Sequence, residues 1–362
     1  MIQHQHSIAL GCFALFIACT PASAQSVQLS GQLGAGAGFR SHQGAGNGTV
    51  YEVTDNLIWA SWLRFGGVED LGAGMRAMFR LEAGLNMDTG TSPVAAKFWN
   101  RQSWVALQMG DAGVVSLGRQ FPAAIDRAVR TLGVNNQAGL AAVVPMGLLA
   151  VNRYNGLDSR TDNSVKYRYS LPGVIEVGAN LSAGEGTMGR NYSADIAQTT
   201  ERYDVGLMVE HYDANARLPS GAMPVSTFWA IGGNATFGNL RPYIAYYRGS
   251  LDSTSPSGSQ QGNRVLCVSL AWQPLPQWRF TADEYHDKAT NLNGVPGRDG
   301  AKDTTVLTAF YYFSKRTELY LAAHSNRYSD GYRLDPVNIA VLNRNPNASA
   351  VSGLSLGISN RF

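Results

Sequence analysis

Charge is scarce in this chain: only 15% of its 362 residues are Asp, Glu, Lys or Arg, where soluble domains usually carry about 25%. The 29 basic and 26 acidic side chains leave a net charge of +3 and form no Lys or Arg blocks, so the electrostatic footprint of a nucleic-acid-binding protein is missing. Long apolar runs are lacking too. Past the first twenty residues nothing approaches the roughly 18 apolar residues a spanning helix needs, and a mean hydropathy of -0.14 excludes a bundle of such helices. Cysteine is limited to Cys12, Cys19 and Cys267. Enzyme signatures are scarce as well: there is no His-Glu-x-x-His and no metal-spaced Cys/His cluster. The nearest constellation, Asp283-Glu284-Tyr285-His286, splits on a strand into Asp283 and Tyr285 on one face and Glu284 and His286 on the other. No enzyme activity and no cofactor are therefore expected. What is abundant is apolar residue at 44%, 40 glycines, and 13 Phe, 7 Trp and 16 Tyr. That composition excludes disorder and points to an all-β chain.

The N-terminus reads as a targeting segment. Ile8 to Cys19 is a short apolar stretch followed by Pro21 and Ala22-Ser23-Ala24, the small-x-small pattern accepted by a signal peptidase. Residues 1–24 are expected to be a cleaved secretory signal and 25–362 the mature barrel domain, although the first residues carry no Lys or Arg. The competing reading takes Phe16-Ile17-Ala18-Cys19 as a degenerate lipobox with Cys19 lipidated. On cleavage, Cys267 is the one cysteine left, so no intramolecular disulfide is expected.

Beyond this segment the hydrophobic pattern has period two. From Val27 to Arg40, Val, Leu, Gly, Leu, Ala, Ala and Phe alternate with Gln, Ser, Gln, Gly, Gly, Gly and Arg, a strand long enough to cross a bilayer when tilted. Its Gly-x-Gly run is no dinucleotide loop, because Ser41 to Gly48 cannot open a helix. Similar strands recur around turn signals at Val68 to Gly72, Gly110 to Gly113, Leu171-Pro172-Gly173, Gly238-Asn239, Leu275-Pro276-Gln277 and Ser314-Lys315-Arg316. These tight turns alternate with longer loops such as Leu251 to Gly262, Ala289 to Lys302 and Ser329 to Ser352. Long strands joined by short turns at one end and long loops at the other describe a transmembrane antiparallel β-barrel, here of about 16 strands. An even count requires Asn191 to Thr199 to pair with Tyr203 to Tyr212.

Several segments carry a family resemblance. SWLRFGGVEDLGAGMRAMFRLEAG and NRQSWVALQMGDAGVVSLGRQF within 61–121, RTDNSVKYRYS at 160–170, FSKRTELYLAAHSNRY at 313–328 and the terminal LSLGISNRF resemble the general porins of Gram-negative bacteria, most of all the β-proteobacterial branch. The resemblance covers essentially the whole mature chain. It implies a homotrimer in the outer membrane, amid lipid and lipopolysaccharide, with a long third loop folded into the lumen. Small outward residues on the first strand, Gly31, Ala35 and Ala37, are compatible with close packing in such a trimer.

In a barrel of this kind the polar face lines water. Alternation turns Arg64, Arg76, Arg80, Arg101, Lys166 and Arg168 into the lumen as one basic wall, with Glu82 and Asp162 the main acids among them. The resemblance places constriction arginines at Arg101 and Arg160 and includes Arg119 in its Gly-Arg-Gln motif. It departs at Trp62, where relatives have an arginine and where Arg64 stands in. The inward loop corresponds to Phe121 to Asp158. In place of an acidic motif it has Val144-Pro145-Met146-Gly147-Leu148-Leu149, and its acids are Asp126 and Asp158. A basic, partly apolar constriction favours anions. The expected function is passive diffusion of small hydrophilic solutes and ions through a water-filled channel. A substrate-specific channel on the same barrel is the alternative, and a barrel-borne hydrolase or an adhesin lies further off. For Trp62 and the apolar run Ala138 to Val151, burial against the barrel wall outweighs solute selection.

Overall fold

In lipid every backbone N–H and C=O must be bonded within the protein, which leaves closed barrels as the way for strands to span. The computed structural model describes residues 26–55, 58, 60–131, 158–185 and 189–362. The expected signal segment and the runs Ala138 to Val151 and Val144 to Leu149 lie outside the described residues.

Seventeen strand segments form one antiparallel sheet. They are β1 (Ser26–Gln43), β2 (Gly48–Asp55), β3 (Ser61–Gly72), β4 (Met75–Leu85), β5 (Gln102–Met109), β6 (Val114–Gln120), β7 (Thr161–Leu171), β8 (Ile175–Ser182) and β9 (Asn191–Thr199). The sheet continues with β10 (Tyr203–Asp213), β11 (Val225–Ala235), β12 (Leu240–Leu251), β13 (Gln261–Leu275), β14 (Trp278–Thr290), β15 (Gly300–Tyr312), β16 (Thr317–Tyr328) and β17 (Ala350–Arg361). The segments β2 and β3 lie end to end against one side of β1, the first opposite Ala35 to Gln43 and the second opposite Ser26 to Gln32. They are two halves of one interrupted strand, so the barrel has sixteen strands around its wall. Its other seam joins β1 to β17 in continuous register from Gln32 opposite Arg361 to Arg40 opposite Gly353. The seam depends on a close approach. Tyr320 packs across the paired glycines Gly36 and Gly357, where an added Cβ would fall 2.4 Å and 2.3 Å from its hydroxyl oxygen.

The weakest expected hairpin is regular, with β9 and β10 paired from Thr199 opposite Asp204 to Asn191 opposite Tyr212. Other boundaries move outward. The strand read as turning at Val68 continues to Gly72, because the reversal is made by Gly72, Ala73 and Gly74, all at positive φ. Likewise β14 and β15 run to Thr290 and from Gly300, shortening the loop expected from Ala289 to Lys302. Two segments read as irregular contain helices: α1 (Ala123–Thr131) after β6 and α2 (Pro336–Leu342) before β17. Asp335 caps α2, its carboxylate accepting from the Val337 and Asn338 N–H groups. No described helix is long and apolar enough to cross a membrane.

Alternation assigns the faces. On β13, Val265, Cys267, Ser269 and Ala271 are buried toward the interior while Leu266, Val268, Leu270 and Trp272 are exposed on the outside. Likewise Asp283 and Tyr285 are buried, and Glu284 and His286 face outward. Aromatic residues gather at the two edges of the outer apolar band. At the tight-turn end Trp272, Phe280, Trp278, Tyr311 and Phe313 touch in sequence with ring centroids 4.9 to 5.7 Å apart. At the long-loop end Trp229 meets Tyr246 at 5.6 Å and Tyr192 stacks on His211 at 4.4 Å. Between Arg264 and Trp272 the band is roughly 20 Å high at a strand rise of ~3.3 Å and a tilt near 40°. Val268 stands near its middle, so Val268→Lys is expected to cost about 2–4 kcal/mol in reversible unfolding from vesicles, with Val268→Leu close to neutral. A loss below 1 kcal/mol for the lysine would place Val268 out of the lipid.

Candidate constriction site

The inward residues of β3 to β7 form a grid set by register. Trp62, Arg64 and Gly66 on β3 stand opposite Gly84, Glu82 and Arg80 on β4, and Arg80 stands opposite Trp104 on β5. Glu82 is the hub. Only 1% exposed, it accepts from Arg64 Nε at 2.8 Å and Arg101 Nε at 2.6 Å. Arg101 reaches it from the bend before β5, not from the strand itself, which starts at Gln102. The Arg64 guanidinium also lies 4.2 Å from the Trp62 ring centre, and that of Arg80 lies 5.2 Å from Trp104. One buried carboxylate thus holds two arginines, each still partly exposed, and one positive charge of the cluster is not cancelled.

Arg119 has a different situation. It is 8% exposed and donates to Asp158 at 2.5 Å, to Asp162 at 2.6 Å and twice to the Asn100 carbonyl. It ties the loop before β5 to the chain entering β7, and Lys97 donates to the other oxygen of Asp162 at 2.5 Å. Arg160 sits just ahead of β7 with its guanidinium 4.4 Å from the Phe121 ring centre. Burial, and after it the neighbouring Arg101, lower its pKa from the usual arginine range, without removing its charge at neutral pH.

Lys166 and Arg168 lie behind α1. Lys166 donates to Asp126 at 2.8 Å and to the Phe121 carbonyl at 3.0 Å, and Arg168 donates to Asp126 at 3.2 Å and to the Ala123 carbonyl at 3.1 Å. The helix is fixed to the inward wall from both ends. Its first amides, on Ala123 and Ala124, donate to Asn180 Oδ1 and Ser193 Oγ, which satisfies donors that a helix start leaves open. Asp126 in the first turn also suits the positive end of the helix dipole. Arg127, fully buried, donates to Asp195 at 2.9 Å and to Glu176 at 2.9 Å and stands 3.9 Å from Asp204.

Sequence reasoning missed Arg127, Asp195 and Trp104. Arg127 falls in a segment without strand alternation, yet Ala124, Ile125, Ala128 and Thr131 already mark the buried face of a helix and Arg127 lies on it. A buried cation facing several carboxylates is costly to unmake, because removing one partner strands the others. Arg127→Ala is expected to cost on the order of 3–5 kcal/mol and to release α1, speeding tryptic cleavage after Arg130 in the folded barrel. An unchanged cleavage rate would mean that the pairs to Asp195 and Glu176 do not anchor the helix.

Comparisons with known proteins agree with this architecture. Residues 9–331 match the family model described as Gram-negative porin. An outer membrane porin of Bordetella pertussis is 33% identical over 105 residues, which is 28% of this chain. The match spans a quarter of that relative's own length, 25%. Among solved structures, the anion-selective porin from Comamonas acidovorans superposes with a TM-score of 0.77 at 18% identity, covering 94% of this chain and 100% of that one. OmpT of Vibrio cholerae in its trimer form superposes with a TM-score of 0.69 at 15% identity, covering 94% and 100%.

Proposed function

The chain belongs to the Gram-negative porin family, and we propose on that premise that it forms a water-filled outer-membrane channel for passive diffusion of small hydrophilic solutes and ions, favouring anions. The observation that carries the preference is the wall built by β3 to β7. There Arg64, Arg80, Arg101, Arg119, Arg160, Lys166 and Arg168 outnumber Glu82, Asp126, Asp158 and Asp162. Arg80 adds to the excess, since among the described residues it is in no ion pair and faces Trp104. In this reading residues 121–158 narrow the lumen, and the attachment of α1 to Asn180, Ser193 and Asp195 supports the inward course of that loop. Arg64, Arg101, Arg160 and Arg80 with Trp62 border the aperture, whereas Arg119, Lys166 and Arg168 hold the loop and contribute through their field. The preference is modest and salt-sensitive, because the Debye length of about 8 Å at physiological ionic strength is comparable to such an aperture.

The reading includes a homotrimer, contact with lipid and lipopolysaccharide, and no catalytic role. A substrate-specific channel is the second reading, and the pairs Arg64 on Trp62 and Arg80 on Trp104 favour it, since a guanidinium held over an aromatic ring offers a carboxylate a fixed charged partner with apolar surface beside it. Saturable block of single-channel current by benzoate but not acetate would support that version.

Two substitutions test the charge assignment in planar bilayers under a KCl gradient. Arg101→Gln removes an aperture cation and is expected to move the reversal potential toward the potassium side. Glu82→Gln leaves Arg64 and Arg101 without their shared carboxylate and is expected to move it toward chloride. Shifts of the same sign, or none, would refute the placement of this cluster at the aperture, and a folded barrel that does not conduct would refute the channel.

A further inference from the structure

On the wall opposite the aperture cluster, a second pair of arginines faces the interior at the tight-turn end. Arg241 of β12 stands opposite the inward Ala271 of β13, and Arg279 of β14 stands opposite the inward Phe310 of β15. With β2 and β3 taken as one strand, β13 lies eight places from β5 in a ring of sixteen, so this wall faces Glu82 and its arginines across the lumen. Each guanidinium is held over a ring, that of Arg241 5.7 Å from the Tyr243 centre and that of Arg279 5.9 Å from the Phe310 centre. Tyr312 extends the aromatic surface by stacking on Phe310 at 6.3 Å.

Both arginines line one recess of about 760 Å³, together with Tyr243, Tyr312, Gln273 and Leu275. The recess lies beside two neighbouring turns, which the Gln273 N–H joins by donating to the Asn239 carbonyl at 2.9 Å. Its charge differs in kind from that of the aperture, where arginines share carboxylates. No Asp or Glu is among its described lining residues, and Glu318, opposite Tyr312 on β16, is buried and pairs with Arg361 at 3.5 Å. Arg241 is oriented by a neutral group instead: its Nε donates to Asn234 Oδ1 at 2.8 Å, and Asn234 Nδ2 donates to the carbonyl of Thr131, the last residue of α1, at 3.0 Å. Among the described residues Arg241 is in no ion pair. Its charge stays available, on an exposed side chain of fixed position.

We propose that this recess binds organic dianions, small molecules with a carboxylate at each end of a short apolar chain. The inference rests on the channel reading for the route by which such a molecule arrives, and it places a second site beyond the aperture, at the end that short turns mark as periplasmic. Guanidinium groups match carboxylate oxygens in paired, charge-assisted hydrogen bonds. The strands that carry Arg241 and Arg279 are two places apart, roughly 10 Å between backbones, and each guanidinium is held over its own ring. The pair therefore offers two carboxylate positions, not one shared position. Tyr243, Tyr312 and Leu275 add apolar surface in the same recess for the chain that links the two carboxylates.

The test is titration calorimetry at low salt on the full barrel refolded in detergent, comparing the wild type with the R241Q/R279Q and R101Q variants. The probes are adipate, hexanoate, which has the same chain length and one carboxylate, and inorganic sulfate. The wild type is expected to bind adipate at least tenfold more tightly than R241Q/R279Q does, and at least fivefold more tightly than it binds either other probe. R101Q is expected to bind adipate as the wild type does. No binding of adipate by the wild type, or equal binding by the wild type and R241Q/R279Q, would overturn the proposal. So would equal binding of hexanoate, which removes the need for a second carboxylate, or of sulfate, which removes the need for a spaced pair. A loss in R101Q as large as that in R241Q/R279Q would move the site to the aperture and overturn it as well. Should the double variant not refold, Arg241→Gln alone is expected to lose at least threefold, and no loss there would overturn the proposal equally. Because heat and not current is read, a barrel that does not conduct or does not favour anions leaves this test intact.

Discussion

The backbone of a membrane-spanning chain has no water to bond with, and the rest of this structure follows from that constraint. Sixteen strands close the hydrogen-bonded ladder on itself through the β1–β17 seam, where Tyr320 occupies the space left by Gly36 and Gly357. Closure then fixes the side-chain chemistry. One residue in two faces hydrocarbon and its neighbour faces the interior, so apolar and polar groups alternate and mean hydropathy stays near zero. The low charge content has the same origin, since most outer positions within the apolar band are taken by Leu, Val, Ile and aromatic residues.

Inside the wall, charge is arranged for attachment as much as for passage. Glu82 gathers Arg64 and Arg101, Asp158 and Asp162 hold Arg119, and Asp126 joins α1 to Lys166 and Arg168. Arg127 returns the attachment from the helix to Asp195 and Glu176. A buried ion pair seldom stabilises more than an apolar contact of the same size would. Its use here is positional: it holds a helix against a polar wall that offers little apolar surface near Asn180 and Ser193. The selectivity we propose is the remainder after these pairings, carried by Arg80 and by the uncancelled charge of the Arg64–Glu82–Arg101 cluster.

Much of the fold was legible in the sequence because alternation is local. The strands, the tight turns and the β9–β10 hairpin all follow from residues close together in the chain. The interruption between β2 and β3 and the outward extension of β14 and β15 were not legible, since they depend on register with neighbouring strands. The candidate site was legible only in part. Face assignment turned Arg64, Arg80, Lys166 and Arg168 inward, but their partners are chosen by distant segments: Lys166 meets Asp126, and Arg119 meets Asp158 and Asp162. Arg127 escaped because strand periodicity is blind to a short helix.

The central claim is that fixed charge on one wall biases an open, water-filled pore. The most direct measurement is the zero-current potential of the unaltered protein across a tenfold KCl gradient, taken at low and at high mean salt. The account predicts a potential on the chloride-permeable side that shrinks as salt rises and the Debye length shortens. A potential on the potassium side, or a chloride preference that salt does not alter, would contradict it.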